Sequence, residues 1–285
     1  MIKIIKYFFE ALIIYLFFLI IKLIGLSISR ILFSFIFKKI GPIIKSNNTI
    51  KKNLNIFSNK ISEQRKKEIE LNMWSNYGKT FVEYMFLKKF RKENLHINIE
   101  DKKILDEISH NNKPVIFVSG HFANFELMSM EITKNKINLA TIYRPLNNLF
   151  LNPFMEYLRK KYVCNKQIKK GRSGVKECVE YIKKGYSIAL MIDQRLGEGD
   201  RVEFFREKAH TTSLPAQLSL KHNLDVVPIF IEREHKDYFK MKIYKPINTS
   251  NFKNKNELTQ KLNQILENMI IKNPDQWIWT HDRWK

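Results

Sequence analysis

The first 39 positions are almost continuously apolar. "ALIIYLFFLII" at 11–21 is uncharged, Lys22 interrupts, "LIGLSIS" runs on to Ser29, and "ILFSFIF" follows Arg30 before Lys38 and Lys39 close the stretch. A bilayer-spanning helix needs about 20 apolar residues. The run reaches that length only by accepting Lys22, at about 3 kcal/mol near a bilayer centre, although its long stem can snorkel from a shallow or tilted helix. The run is too long for a cleaved signal peptide, and no small-residue cleavage site follows it. A core helix of a soluble protein is the plainer alternative. Residues 1–39 are therefore expected to form a membrane-associated anchor helix and residues 40–285 a separate domain. The Lys- and Arg-rich flank after residue 38 places that domain on the cytoplasmic side.

Beyond the anchor the pattern changes. Residues 40–60, broken by Gly41 and Pro42, read as a connector and a short helix. Over 62–93, Ile69, Met73, Trp74, Tyr77 and Phe81 recur at helical spacing and predict a helix with a core face. Strand and helix patterns then take turns. Strands are expected at "PVIFVSG" (114–120), "INLATIYRP" (137–145), "YSIALMIDQ" (186–194), "LDVVPIFIER" (224–233) and "YFKMKIYKP" (238–246). Helices are expected at 123–135, 148–162, 173–185, 211–222 and 254–272. The helix over 173–185 has Ser173 as its expected N-cap and Gly185 as its stop. This alternation predicts an α/β fold, a layered mixed sheet flanked by helices.

Charge adds a partner class. Fifty Lys and Arg against 28 Asp and Glu give a net +22, which suits an anionic surface or ligand. Lys, Asn and Ile are abundant throughout, so part of this excess reflects composition rather than function. No nucleic-acid motif accompanies the charge, and an apolar N-terminus argues against such a partner. The two cysteines, Cys164 and Cys178, form neither a zinc pattern nor a disulfide framework. The seven histidines are scattered without ligand spacing, so no metal or cofactor is expected.

Candidate chemistry gathers at strand ends, where α/β sheets bind ligands. His121 follows the 114–120 strand, Arg144 ends the 137–145 strand, and Asp193 with Gln194 ends the 186–194 strand. In "VSGHFANFELM" (118–128), a helix starting near Ala123 or Asn124 would bring Glu126 into its first turn, facing His121. A histidine held by a carboxylate offers its other nitrogen as a base near neutral pH. "GRSG" at 171–174 is not a nucleophile elbow, so a substrate hydroxyl is expected to attack directly. Asp193 and Gln194 either position the substrate or cap a loop.

The His-x4-Glu of "GHFANFE" resembles the signature of glycerolipid-type acyltransferases. The ordered set "VSGHFANFEL", "IYRPLNN", "GRSGVKECVEYIKKG", "ALMIDQR", "FFREKAHTT", "VVPIFIER" and "WIWTHDRWK" resembles, over nearly the whole chain, the bacterial lipid A biosynthesis acyltransferases, the lauroyl/myristoyl transferases. The chain departs from that family at Ala123-Asn124-Phe125, where Gly-Asn-Trp is common, and at Arg206, where Gly is common. The resemblance implies a glycerolipid acyltransferase-like fold at the bacterial inner membrane. It implies acyl transfer from an acyl carrier protein thioester to a hydroxyl of a lipid A precursor. It makes His121 the general base and Glu126 its orienting partner. Arg144 or a backbone N–H near the helix start would serve the oxyanion. Arg144 and Arg172 would grip phosphate or Kdo carboxylate, and Asn124, Asp193 and Gln194 are further substrate-binding candidates. Glu126→Ala is expected to leave the fold intact. The partners implied are the acidic carrier protein, an anionic glycolipid and the membrane. Another glycolipid or lysophospholipid acceptor, or a non-catalytic basic membrane protein, are the alternatives. Phe204, Phe205 and the tryptophans 277, 279 and 284 read as packing residues, with the membrane interface a second place for the tryptophans.

Overall fold

A computed structural model describes residues 2–44, 47–195, 199–235 and 238–285. Residue 1 of the expected anchor and residues 45–46 of the expected connector lie outside the described residues. The N-terminal part is four helices: α1 (Ile2–Ile24), α2 (Leu26–Ile44), α3 (Asn47–Phe57) and α4 (Glu63–Glu83). A short α5 (Leu87–Lys92), β1 (Ile97–Glu100) and α6 (Lys103–Asn111) lead into the alternating part. There β2 (Ile116–Ser119), α7 (Glu126–Lys134), β3 (Leu139–Tyr143), α8 (Asn152–Leu158), β4 (Lys166–Lys169), α9 (Arg172–Lys183) and β5 (Ser187–Met191) follow one another. A hairpin of β6 (Asp200–Phe204) and β7 (Glu207–Thr211) precedes α10 (Leu214–His222), β8 (Val226–Arg233), β9 (Phe239–Ile243) and α11 (Lys255–Lys272).

The seven-stranded sheet has the order β1-β9-β8-β2-β5-β3-β4. The strands from β8 to β4 are parallel, while β9 runs antiparallel to β8 and carries β1 parallel to itself. This is the mixed, helix-flanked sheet that the alternation predicts. β2 and β5 are central and read as apolar runs because both faces are covered. Phe117, Ala189, Leu139 and Ile229 face one core, with Leu127 and Met128 of α7. Ile116, Ile188, Leu190 and Phe230 face the other, with Cys178 of α9 and Leu262 and Leu266 of α11.

The apolar N-terminus is two helices, not one. Gly25, at φ +79, separates them, a conformation that glycine adopts without steric cost. The expected boundary at residue 39 falls inside α2, which runs on through Gly41 and Pro42. α2 packs along α4 and buries Ser29, Arg30 and Phe33. Arg30 Nε donates to Glu83 Oε1 at 2.8 Å, and Arg233 of β8 and Asn124 Nδ2 also bond this fully buried carboxylate. By contrast, α1 buries only Ala11, Phe18 and Ile21, leaving Phe8, Phe9, Leu12, Leu16 and Leu19 exposed.

Two local expectations are corrected. α9 begins at Arg172 with Gly171 at its N-cap, so Ser173 is already inside the helix. α7 begins at Glu126, two to three turn residues later than expected. Both family glycine positions lie in left-handed backbone: Ala123 has φ +44 and Arg206 has φ +66. A side chain there costs on the order of 1–2 kcal/mol, which is the physical reason that glycine suits these turns.

Candidate active site

The register of the central strands builds the site. Ser119 of β2 pairs with Met191 of β5, so the residues two places further on, His121 and Asp193, leave the sheet side by side. His121 Nδ1 and Asp193 Oδ1 are 2.7 Å apart. The His121 backbone N–H donates to Asp193 Oδ2 at 2.7 Å, and Trp277 Nε1 donates to the same oxygen at 2.9 Å. Gly120 makes this turn possible: a Cβ there would sit 2.7 Å from the Phe122 ring and 2.9 Å from Leu266.

Asp193 is wholly buried. Burial alone would raise its carboxyl, but the adjacent His121 ring and the hydrogen bonds from His121 and Trp277 more than offset this and hold it below the ordinary carboxylate range. An ionised carboxylate only accepts hydrogen bonds, so in the neutral ring Nδ1 carries the proton and Nε2 keeps its lone pair. The ring lines a cavity of about 870 Å³ at the carboxyl ends of the strands. His121 thus stands at the strand end where the sequence places it, but its hydrogen-bond partner is Asp193 rather than Glu126.

Glu126 has a different neighbour. Its Oε1 accepts from Arg159 Nε at 2.7 Å and from the Tyr84 hydroxyl at 2.6 Å, and Arg159 Nη2 donates to the Tyr84 oxygen at 3.0 Å. Burial works against the Arg159 charge, yet Glu126 and Tyr84 together hold its pKa above the usual arginine value. Arg159 opens a single π-helical turn, Arg159–Val163, at the end of α8. Such turns recur at functional sites, and here both Arg159 and Val163 line the cavity, as does Glu126. Truncating Glu126 would leave a mostly buried guanidinium without its counter-charge, at a cost of about 3–5 kcal/mol. Glu126→Ala is thus expected to lower stability measurably in a denaturant titration, the reverse of the outcome expected from sequence alone.

The remaining candidates divide. Arg144, Arg172 and Gln194 line the cavity with Lys169 and Lys170. Among the described residues, none of these four cations forms an ion pair with a carboxylate. Lys170 is held below its usual pKa by partial burial and by the Arg144 charge. Asn124 points elsewhere: it is 1% exposed and donates to Glu83. Asp193 reaches the cavity only through His121. Residues that the sequence did not single out for the site are Arg159 and Tyr84, which look like ordinary helix residues. Cys164 and Cys178 are buried, and burial pushes the Cys178 thiol up to about 12, so it is no thiolate nucleophile at neutral pH. Among the described residues, no three His, Cys, Asp or Glu side chains are placed to hold a metal ion.

The cavity therefore joins an oriented imidazole, a cationic wall and apolar side chains such as Met128, Ile142 and Leu190. That combination can deprotonate a hydroxyl of an anionic, hydrocarbon-bearing molecule. The family model for bacterial lipid A biosynthesis acyltransferases matches residues 2–285. The chain is 22% identical over 196 residues to lipid A biosynthesis acyltransferase 2 of Shigella flexneri, covering 67% of this chain and 61% of that relative. It is 26% identical over 254 residues to the lipid A biosynthesis palmitoleoyltransferase of Escherichia coli, covering 86% and 80%. The solved 1-acyl-sn-glycerophosphate acyltransferase of Thermotoga maritima superposes with a TM-score of 0.43 and 12% identity, covering 89% of this chain and all of that one.

Proposed function

The chain belongs to the bacterial lipid A biosynthesis acyltransferase family, and from that premise we propose that it transfers a fatty acyl chain from an acyl carrier protein thioester to a hydroxyl of a lipid A precursor. The observation that carries the reading is the His121–Asp193 pair, which leaves Nε2 toward a cavity that Arg144, Arg172, Lys169 and Lys170 also line, cations that form no ion pair with a carboxylate among the described residues. Nε2 takes the acceptor's hydroxyl proton as its oxygen attacks the thioester carbonyl. The tetrahedral oxyanion forms beside Arg159 and Arg144. Its collapse breaks the C–S bond, and the imidazolium returns the proton to the leaving thiolate. Glu126 serves here by fixing Arg159 rather than by orienting His121. Arg144 and Arg172 hold the acceptor's anionic groups, and Gln194 lines the same cavity.

The open apolar faces of α1 and of α2, at Ile28, Ile31 and Phe35, enter the inner membrane in this reading. Lys38 and Lys39 at their base keep the site cytoplasmic. The basic surface suits both the acidic carrier protein and an anionic leaflet.

The test supplies membranes containing the chain with acyl carrier protein carrying a saturated acyl group and a Kdo-bearing lipid A precursor. Mass spectrometry is expected to show one added acyl group. Absence of that product, with transfer to a lysophospholipid instead, would overturn the acceptor. Arg144→Ala and Arg172→Ala are expected to raise the acceptor KM about 10- to 100-fold each, as loss of a charged hydrogen bond of about 1.5–3 kcal/mol would. The kcat of Arg172→Ala should stay within a factor of about three, whereas that of Arg144→Ala should also fall, because Arg144 stands beside the oxyanion.

A further inference from the structure

The last residues of the chain fold back onto the carboxylate that orients His121. Phe122 and Trp277 form an antiparallel β-bridge, and the Ala123 N–H donates to the Gln276 carbonyl at 3.3 Å. This fixes the Trp277 backbone beside the His121 turn. The indole is 1% exposed and packs edge-on to Trp279, with ring centroids 4.6 Å apart. Its one polar atom, Nε1, reaches Asp193 Oδ2 at 2.9 Å. The same segment fastens the two residues after Asp193. The Arg195 N–H donates to His281 Nε2 at 2.7 Å, and Arg283 donates to the Gln194 and His210 carbonyls. Burial pushes the His281 pKa down, which favours the neutral ring that this acceptor role requires.

We propose that Trp277 is a positioning residue for acyl transfer, acting through Asp193 on the His121 ring; the proposal rests on the reading of His121 as general base. With two N–H donors on Oδ2, the carboxylate cannot turn, and Oδ1 is left for Nδ1 alone. The indole N–H also disperses the charge of a wholly buried carboxylate. Removing it frees the carboxylate to rotate and concentrates charge on the ring's partner. A more strongly paired ring stays protonated to higher pH, so the acid limb of the kcat/KM profile moves up.

Trp279 supplies the control. It is equally buried, and its Nε1 donates to the Pro274 carbonyl at 2.7 Å, away from Asp193. Trp277→Phe and Trp279→Phe each remove an indole from one cluster. In Trp277→Phe, kcat is expected to fall about tenfold with both KM values unchanged. The acid limb should rise by half a pH unit or more, and the downfield Nδ1 proton resonance of His121 should move. Trp279→Phe is expected to lose comparable thermal stability with profile and resonance unchanged. Equal loss of activity in both variants, with a common pH profile and an unmoved resonance, would overturn the proposal. Should Trp277→Phe fail to fold, the tryptophan isostere with sulfur in place of N–H, placed at 277, removes the donor and keeps the shape. The same shifts are then expected, and their absence overturns the proposal. The resonance needs no turnover. A wild-type protein that shows it but transfers no acyl group refutes the activity and leaves the Trp277–Asp193–His121 geometry testable.

Discussion

His121→Ala is expected to lower kcat/KM for acyl transfer by about 10²–10⁴-fold, the range for a lost general base, while the protein stays folded. The structural contribution of this residue comes largely from its backbone: the N–H that bonds Asp193 Oδ2 at 2.7 Å survives the substitution. The imidazole is 18% exposed and, among the described residues, makes one hydrogen bond, through Nδ1. Its removal leaves Asp193 Oδ1 without its partner in a wholly buried position, a loss of about 1–3 kcal/mol. A melting curve shifted by a few degrees together with near-complete loss of product is the expected pattern. Retention of more than about a tenth of wild-type activity would remove His121 from the role of base.

The sequence exposed His121 because a strand-to-loop change is visible locally: an apolar run ends at Ser119-Gly120 and a titratable residue follows. Asp193 was visible in the same way, as the polar end of the 186–194 strand, but its pairing with His121 was not. Asp193 lies 72 positions away and becomes a neighbour only because β2 and β5 are adjacent and in register. Strand order is set by packing, which no window of residues reports. Glu126 drew attention for its spacing, and that spacing misled because the loop after His121 is not helical. Ala123 at φ +44 delays the helix to Glu126 and turns its side chain toward Arg159 and Tyr84. The strands that escaped detection are short and charged. β4 is "KQIK" and β6 is "DRVEF", each with too few apolar positions to establish a period of two. The long apolar strands and α11 were legible because both faces, or a full helical stripe, had to be covered.

Asp193→Asn should be nearly as damaging as loss of the ring, through the tautomer. Oδ2 accepts from two fixed donors, the His121 backbone N–H and the Trp277 indole N–H. An asparagine must turn its carbonyl oxygen toward those donors, because its amide nitrogen there would oppose two N–H groups. The NH₂ group then faces His121 Nδ1. A donor at that position requires Nδ1 to accept, so the ring proton moves to Nε2, and the nitrogen in the cavity no longer has a lone pair for the hydroxyl. A wrong tautomer of this kind costs about 10⁴-fold in kcat in serine proteases, and a loss of about 10³–10⁴-fold is expected here, with acceptor KM little changed. Asparagine is isosteric and every buried donor keeps a partner, so stability should fall by no more than about 1 kcal/mol. Nitrogen-15 shifts of the His121 ring would show the proton on Nε2 in the variant and on Nδ1 in the wild type. An inactive variant whose proton remains on Nδ1 would mean that Asp193 acts by its charge on the imidazolium, not by fixing the tautomer.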